Sequence, residues 1–202
     1  PYQPGTPKSA PSPAKDATRE PSGTSHLVVI DKNGNAVSMT TTIESYFGSG
    51  RVVGGMLLNN QLTDFSFSSK TEVANAIAPG KRSRSSMSPI IILNKQGDFV
   101  GAIGSPGGGA IPAYIAKTLV GALYWGLPLQ EAVNLPNVVA RGAKINGEAR
   151  KFSPDMKTRL SELGVEVIPG SGEQSGLHGV MLRNGKLEGA ADPRREGVAK
   201  QL

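Results

Sequence analysis

The sequence predicts an α+β fold in which sheets and helices lie in layers. Three observations carry this. Segments rich in Val, Ile and Thr, as strands prefer, stand towards both ends of the chain. Segments with helical spacing stand between them. Two Asn-Gly pairs, Asn33-Gly34 and Asn184-Gly185, fall between strand-like arms, where a hairpin turn needs residues that tolerate positive φ. The 202 residues suit one domain, or one part of a larger one, and can bury a core.

The elements follow in order. Residues 1–23 hold six prolines and almost no large apolar groups, so they cannot bury enough surface to offset ordering. A flexible linker or tail is expected there, and the folded part is expected over 24–202. Residues 26–30 and 36–43 read as two strands around Asn33-Gly34. Residues 44–68 are glycine-rich with weak periodicity, hence mostly loop with short strands. Residues 88–94 and 98–104 form another strand pair around Lys95-Gln96-Gly97.

Residues 104–126 begin as a glycine loop and become a helix, with Ile111, Ile115, Leu119 and Leu123 on one face and Pro112 tolerated near its start. A short helix over 128–136 ends at Pro136. The helix over 153–164 is well marked: Ser153 can cap it, Pro154 takes the first position, Asp155 suits the positive end and Gly164 stops it. Strands return at 165–168 and 179–190, the latter turning at Asn184-Gly185. No internal repeat is visible.

Composition narrows the chemistry. The absence of cysteine removes disulfides, thiolate catalysis and Cys-based zinc sites. No apolar run of about 18 residues offers a membrane span. The first residues lack the charged start and apolar stretch of a signal peptide. The net charge of +6 raises the question of nucleic acid, but the charges are scattered and aromatic residues make up only 5%, too few for a base-stacking platform. No nucleic-acid partner is expected. A noncatalytic basic interaction domain with a Pro-rich tail remains one reading of these features.

Several motifs could carry chemistry. The run Gly104-Ser105-Pro106-Gly107-Gly108-Gly109 lacks the Gly-Lys-Ser/Thr ending of a P-loop and the spacing of a dinucleotide fingerprint. It also lacks the Gly two residues before Ser that a nucleophile elbow requires. Consecutive glycines before a helix still expose N–H groups in a positive potential, which suits an oxyanion hole as well as a tight turn. His26 and His178 are the only histidines and are far apart in sequence, without clustered carboxylates, so no metal is expected; each reads as a solvated or core-rim residue. Asn60, Gln61 and Asp64 place amides and a carboxylate close together, able to hold an ammonium or to form an ordinary polar loop. Ser85 and Ser86 could hold a carboxylate or start a strand.

Thr24 stands at the border between tail and fold. If the Gly23–Thr24 bond is cut, Thr24 gains an α-amine with a pKa of about 7.7–8.0, near enough to neutrality to act as general base for its own hydroxyl. Such a site needs neither His nor Cys. A threonine at a loop–strand border can equally be structural.

Order now matters more than any single motif. The blocks beginning at Thr24, at Leu57 ("LLNNQLTDFS"), at Arg84 ("RSSMSPIII"), at Gly104 ("GSPGG") and at Gly189 ("GAADPRR") resemble, in this sequence of five, the small subunit of γ-glutamyltranspeptidases. The likeness runs from Thr24 to about Arg195. It implies the small-subunit portion of an N-terminal nucleophile hydrolase, a four-layer αββα sandwich. It also implies a precursor that cuts itself at Gly23–Thr24 into a large and a small subunit that stay together as a heterodimer, with residues 1–23 the end of the large one. By resemblance Thr24 is the catalytic threonine, and Thr42 matches a second threonine that hydrogen-bonds it. Gly107 and Gly108 match the oxyanion-hole glycines, Ser85 and Ser86 the residues holding the substrate α-carboxylate, and Gln61 and Asp64 those holding its α-amino group.

The reaction implied is attack of Thr24 on a γ-glutamyl amide such as glutathione, then release of the acyl-enzyme to water or an acceptor amine, with no cofactor. Periplasmic or secreted location is implied as well. Two departures stand out. Glu44 occupies a place where many members have an Asn that helps bind the substrate amine. Gly107-Gly108-Gly109-Ala110 replaces the more usual Gly-Gly-Ser/Thr-Arg. They leave related activities open: a cephalosporin or glutaryl-type acylase, or a poly-γ-glutamate hydrolase.

Overall fold

A computed structural model of the chain describes residues 23–67, 73–141, 144–170 and 175–201. The linker expected over 1–23 lies, apart from Gly23, outside the described residues. The described chain opens with strands β1 (Thr24–Ile30) and β2 (Ala36–Thr42), an antiparallel hairpin registered Thr24 to Thr42 and Ile30 to Ala36. Its five-residue connection, Asp31–Asn35, lies around Asn33-Gly34 as expected. Asp31 Oδ1 accepts from the Asn33 and Asn35 amides, Gly34 N donates to Asp31 O at 3.1 Å, and only Gly34 has positive φ, at 85°. The second Asn-Gly pair does form the tight turn, with Asn184 at φ 50° and Gly185 at 74°. It joins β10 (His178–Arg183) to β11 (Lys186–Ala191).

Two further strands, β5 (Ile90–Leu93) and β6 (Phe99–Gly104), complete an antiparallel four-stranded sheet in the order β11-β10-β6-β5. The described part of the region expected as loop, 44–67, is largely loop, with the minimal hairpin β3 (Val52–Val53) and β4 (Met56–Leu57) and a 3₁₀ turn over Gln61–Asp64. Residues 137–152, which carry no clear periodicity, hold two strands that the sequence did not reveal: β7 (Val138–Arg141) and β8 (Lys144–Gly147). With β9 (Val167–Pro169) they make a three-stranded sheet. Helix α3 (Pro154–Glu162) is the crossover that the parallel β8–β9 pair requires. Its N-cap is as expected, Ser153 Oγ accepting from Met156 N at 3.2 Å.

Helices α1 (Ile111–Leu119) and α2 (Leu129–Asn134) cover one face of the four-stranded sheet. Ile103 from the sheet, Ile111, Tyr114 and Ile115 from α1, and Leu129 and Val133 from α2 form the centre of the core. Leu123 does not join them as its spacing suggests. Val120–Tyr124 is a π turn, which rotates the face by adding a residue, so Gly121 and Ala122 are buried and Leu123 is half exposed.

The β1–β2 hairpin lies on the opposite face. His26 on β1 packs so closely on Gly104 that any Cβ there would meet the imidazole. His178 pairs with Gly104 in register and so shares that face. His26 is thus not the solvated or rim residue that the sequence suggested in isolation, whereas the half-buried His178 is a rim residue, as expected. His26 is buried, with Nδ1 2.9 Å from Thr40 Oγ1, and its pKa falls to about 4 through burial and the nearby His178.

Candidate active site

Thr24 begins β1 on the inward face of the hairpin, so the strand pleat aims it at the layer below. It opens onto a cleft shared with Thr42, Glu44, Gln61 and Asp64 on one side and Ser85, Ser86 and Gly108 on the other. Residues from five separate stretches of sequence thus meet at one place. Gly107 stands one residue behind Gly108, at the start of the turn that leads into α1. These two glycines have φ of 131° and 56°, a backbone that side chains rarely adopt, and it precedes a helix N-terminus.

Gly23 precedes Thr24 because nothing larger fits. A Cβ there would lie 2.0 Å from the Glu44 carbonyl oxygen, a backbone atom with no rotamer to yield. Thr42 holds the same junction from the paired strand. Its hydroxyl donates to Gly23 O at 3.4 Å and accepts from Glu44 N at 2.8 Å. In the uncut chain this threonine therefore bonds the carbonyl of the residue before Thr24.

Glu44 is buried, with φ 76°, a left-handed conformation that costs a residue without Asn's or Gly's tolerance. Its Oε2 accepts from Asn60 Nδ2, from Ser45 Oγ at 2.9 Å and from Thr63 Oγ1 at 3.3 Å. The carboxylate is thus fixed at the cleft wall. Gln61 Nε2 donates to Asp64 Oδ2, orienting the second carboxylate of the 3₁₀ turn.

Two residues of this region escaped the sequence reading. Arg84 lines the cleft beside Ser85 and Ser86 and adds a cation next to their hydroxyls; its place directly before Ser85 was the available signal. Asn75 ties the two sides together, with Nδ2 donating to Asp64 O at 2.5 Å and Oδ1 accepting from Arg84 N at 3.0 Å. Nothing in the sequence marks that role. A third, Arg195, donates from Nη1 to Thr24 O at 3.2 Å.

Arg194 is almost wholly buried between Glu148, at 2.6 Å, and Asp192, at 3.0 Å. Among the described residues no group of three or more His, Asp or Glu could hold a metal ion, and no helix is long and apolar enough to cross a membrane.

The cleft joins a threonine hydroxyl, a pair of carboxylates suited to an ammonium, hydroxyls and a cation suited to a carboxylate, and backbone donors suited to a developing oxyanion. Comparison with known proteins points the same way. A family model described as Gamma-glutamyltranspeptidase matches residues 3–202. The chain is 38% identical over 201 residues to the glutathione hydrolase proenzyme of Escherichia coli (strain K12), a match covering 93% of this chain and 34% of that protein. It thus spans about a third of the length of the curated relatives it matches. In structure it resembles γ-glutamyltranspeptidase from Pseudomonas nitroreducens complexed with L-DON, with TM-score 0.75 and 34% identity, over 88% of this chain and 98% of that one. It also resembles cephalosporin acylase from Bacillus halodurans, with TM-score 0.70 and 26% identity, over 84% of this chain and 32% of that one.

Proposed function

The chain belongs to the γ-glutamyltranspeptidase family and has the N-terminal nucleophile hydrolase fold of its small subunit, and from that premise we propose that it is the catalytic part of a γ-glutamyl hydrolase or transferase whose nucleophile is Thr24. The observation that carries this is the junction itself. Thr24 lies on the cleft while the Gly23 carbonyl is held by Thr42 and closed to any side chain.

Maturation follows from the geometry. Thr24 Oγ attacks the Gly23 carbonyl carbon, the Thr42 hydroxyl supports the charge that gathers on oxygen, and the C–N bond breaks as the nitrogen takes a proton. Water then cleaves the resulting ester. The freed α-amine is the base that the amide could not be, so the joined form is inactive. In turnover Thr24 Oγ forms an acyl-enzyme with a γ-glutamyl amide, and Gly107 and Gly108 stabilise the oxyanion. Water or an acceptor amine releases the acyl group.

Glu44 and Asp64 oppose the substrate ammonium, Gln61 orients Asp64, and Ser85, Ser86 and Arg84 take the α-carboxylate. Glutathione is the substrate suggested by the E. coli relative. A glutaryl side chain carries no ammonium, so two carboxylates at the cleft favour γ-glutamyl over glutaryl substrates. The partner is the large subunit of the same precursor, and an exported, periplasmic or secreted, setting fits the family.

Thr24→Ala in the full-length precursor is expected to abolish both cleavage and turnover. Intact mass and γ-glutamyl anilide hydrolysis measure the two. Normal cleavage before residue 24 in that variant would end this reading, and faster hydrolysis of glutaryl than of γ-glutamyl anilide by the parent would transfer it to the acylases.

A further inference from the structure

We propose that Arg195 is a positioning residue for Thr24, its guanidinium anchoring the nucleophile's carbonyl from the far end of the chain. This rests on the reading of Thr24 as nucleophile.

The bond itself is the first observation: Arg195 Nη1 donates to Thr24 O at 3.2 Å, across a separation of 171 residues. The second is how firmly Arg195 is based. Its own N–H donates to Asp192 O at 3.2 Å, and Asp192 N donates to Leu177 O at 2.8 Å. The Asp192 carboxylate is buried and accepts from Ser175 Oγ at 2.5 Å, from Leu177 N at 3.2 Å and from Arg194. Burial raises its pKa, but the bonds from Ser175 and Arg194 outweigh this and hold the carboxyl below its ordinary range. The turn that carries Arg195 is therefore pinned to β10.

The third observation links the arginine to the other half of the reaction centre. A Cβ on Gly176 would lie 2.9 Å from Arg195 Cδ and 2.7 Å from Pro106 Cγ. Gly176 N donates to Ser105 Oγ at 3.2 Å. The stem of Arg195 and the Ser105-Pro106 turn that leads into Gly107 and Gly108 thus abut one glycine. Arg195 fixes the nucleophile's peptide in a frame shared with the oxyanion donors. Catalysis is sensitive to such placement, since an error of about 1 Å can cost about a hundredfold in rate.

Charge gives the same residue a second effect. The α-amine freed from Gly23 lies in the same residue as the carbonyl that Arg195 binds, and a cation so near disfavours the ammonium form. Other charged or titratable groups around Thr24 are Glu44, Asp64 and Arg84 on the cleft, His26 two residues along the same strand face, and His178 on β10 beside it. Two of these are carboxylates, which favour the ammonium. Arg195 opposes them and helps keep the base uncharged.

The test uses the full precursor with Arg195→Gln and Arg195→Lys. Arg195→Gln is expected to slow cleavage before Thr24 about tenfold to a hundredfold. In the processed enzyme it is expected to move the acid limb of kcat/KM upward by about half a unit to one unit. Arg195→Lys, which keeps the cation, is expected to recover most of both, and melting temperatures separate folding from positioning. Cleavage at the parental rate in Arg195→Gln would overturn the proposal. Equal losses in both variants, with lowered melting temperatures and an unmoved acid limb, would overturn it too, because a merely structural arginine behaves that way. Parent precursor that neither cleaves nor hydrolyses γ-glutamyl anilide would instead defeat the reading of Thr24 on which this rests.

Discussion

The two faces of the four-stranded sheet are finished differently. On the helix side the apolar residues turn inward and the polar ends are closed. The carbonyls of Val133 and Leu135, at the end of α2, each accept from both Lys117 Nζ and an Arg194 Nη. Burial, with Arg194 nearby, brings the Lys117 pKa down to about 8. Glu148 and Asp192 balance the arginine. On the hairpin side the pattern is inverted. Thr24, His26, Ser38, Thr40 and Thr42 face the sheet, while Leu27, Val29, Val37 and Met39 face outward and are 38–55% exposed. Leu27 pairs with Met39 and Val29 with Val37, so the outer face is a continuous apolar strip. The helix side is an outer layer of the molecule. The hairpin is a middle layer, and its outer face fits the large subunit proposed as partner.

The sharpest way to break this contrast is at Arg194. Arg194→Ala leaves Asp192 hydrogen-bonded by neutral donors and Glu148 paired with Lys151, with Lys117 nearby, in a site largely shut off from water. Removing one member of a buried ion group costs about 3–5 kcal/mol. Denaturant unfolding of the full protein should show a loss of that size. A variant within about 0.5 kcal/mol of the parent would mean that the helix side is not closed by this network.

The opposite test belongs to the hairpin. The double substitution Leu27→Ser with Met39→Ser removes one cross-strand pair from the outer face. If that face is covered in the processed protein, losing two buried side chains should weaken subunit association by about 3 kcal/mol. The subunits would then separate at roughly a hundredfold higher concentration, as dilution followed by size-exclusion chromatography reads out. Association unchanged from the parent would show that the strip is not the interface.

The contrast also explains what was legible. The Ser153 cap, the Asn184-Gly185 turn and the α1 stripe through Ile115 are local signals, and the structure keeps them. Leu123 misled because the π turn is set by packing of Gly121 against α2, where Leu135 and Ala132 leave no room for a side chain. Asn33-Gly34 marked its hairpin correctly, and the Asp31 side chain, by capturing two amides, closes the five-residue loop around it. The site residues were legible one by one, yet only the order of five blocks united them. Asn75 and Arg195 stayed hidden because each acts across a fold distance that no local pattern encodes. His26 stayed hidden because a lone histidine in a strand gives no sign of its partner Gly104.

That histidine offers the smallest and most specific test. Its ordinary pKa of 6.5 drops to about 4 in the folded chain. Between those values the unfolded chain binds a proton that the folded chain refuses, so stability falls as pH drops from about 6.5 towards 4 and is complete above 6.5. His26→Gln keeps a hydrogen-bonding group near Thr40 and removes the titration. Denaturant unfolding at pH 7 and pH 4.5 should show the parent losing on the order of 1 kcal/mol more than the variant, since carboxylates contribute alike to both. Parallel losses would show that His26 accepts its proton without disturbing the layers. The consequence reaches the reaction centre. His26 sits between Thr24, on its own strand, and Gly104, which leads directly into the turn carrying Gly107 and Gly108. Charging it pushes a cation into the seam between Thr24 and that turn, so under the proposed mechanism the acid limit of the fold and that of the chemistry are set at the same contact.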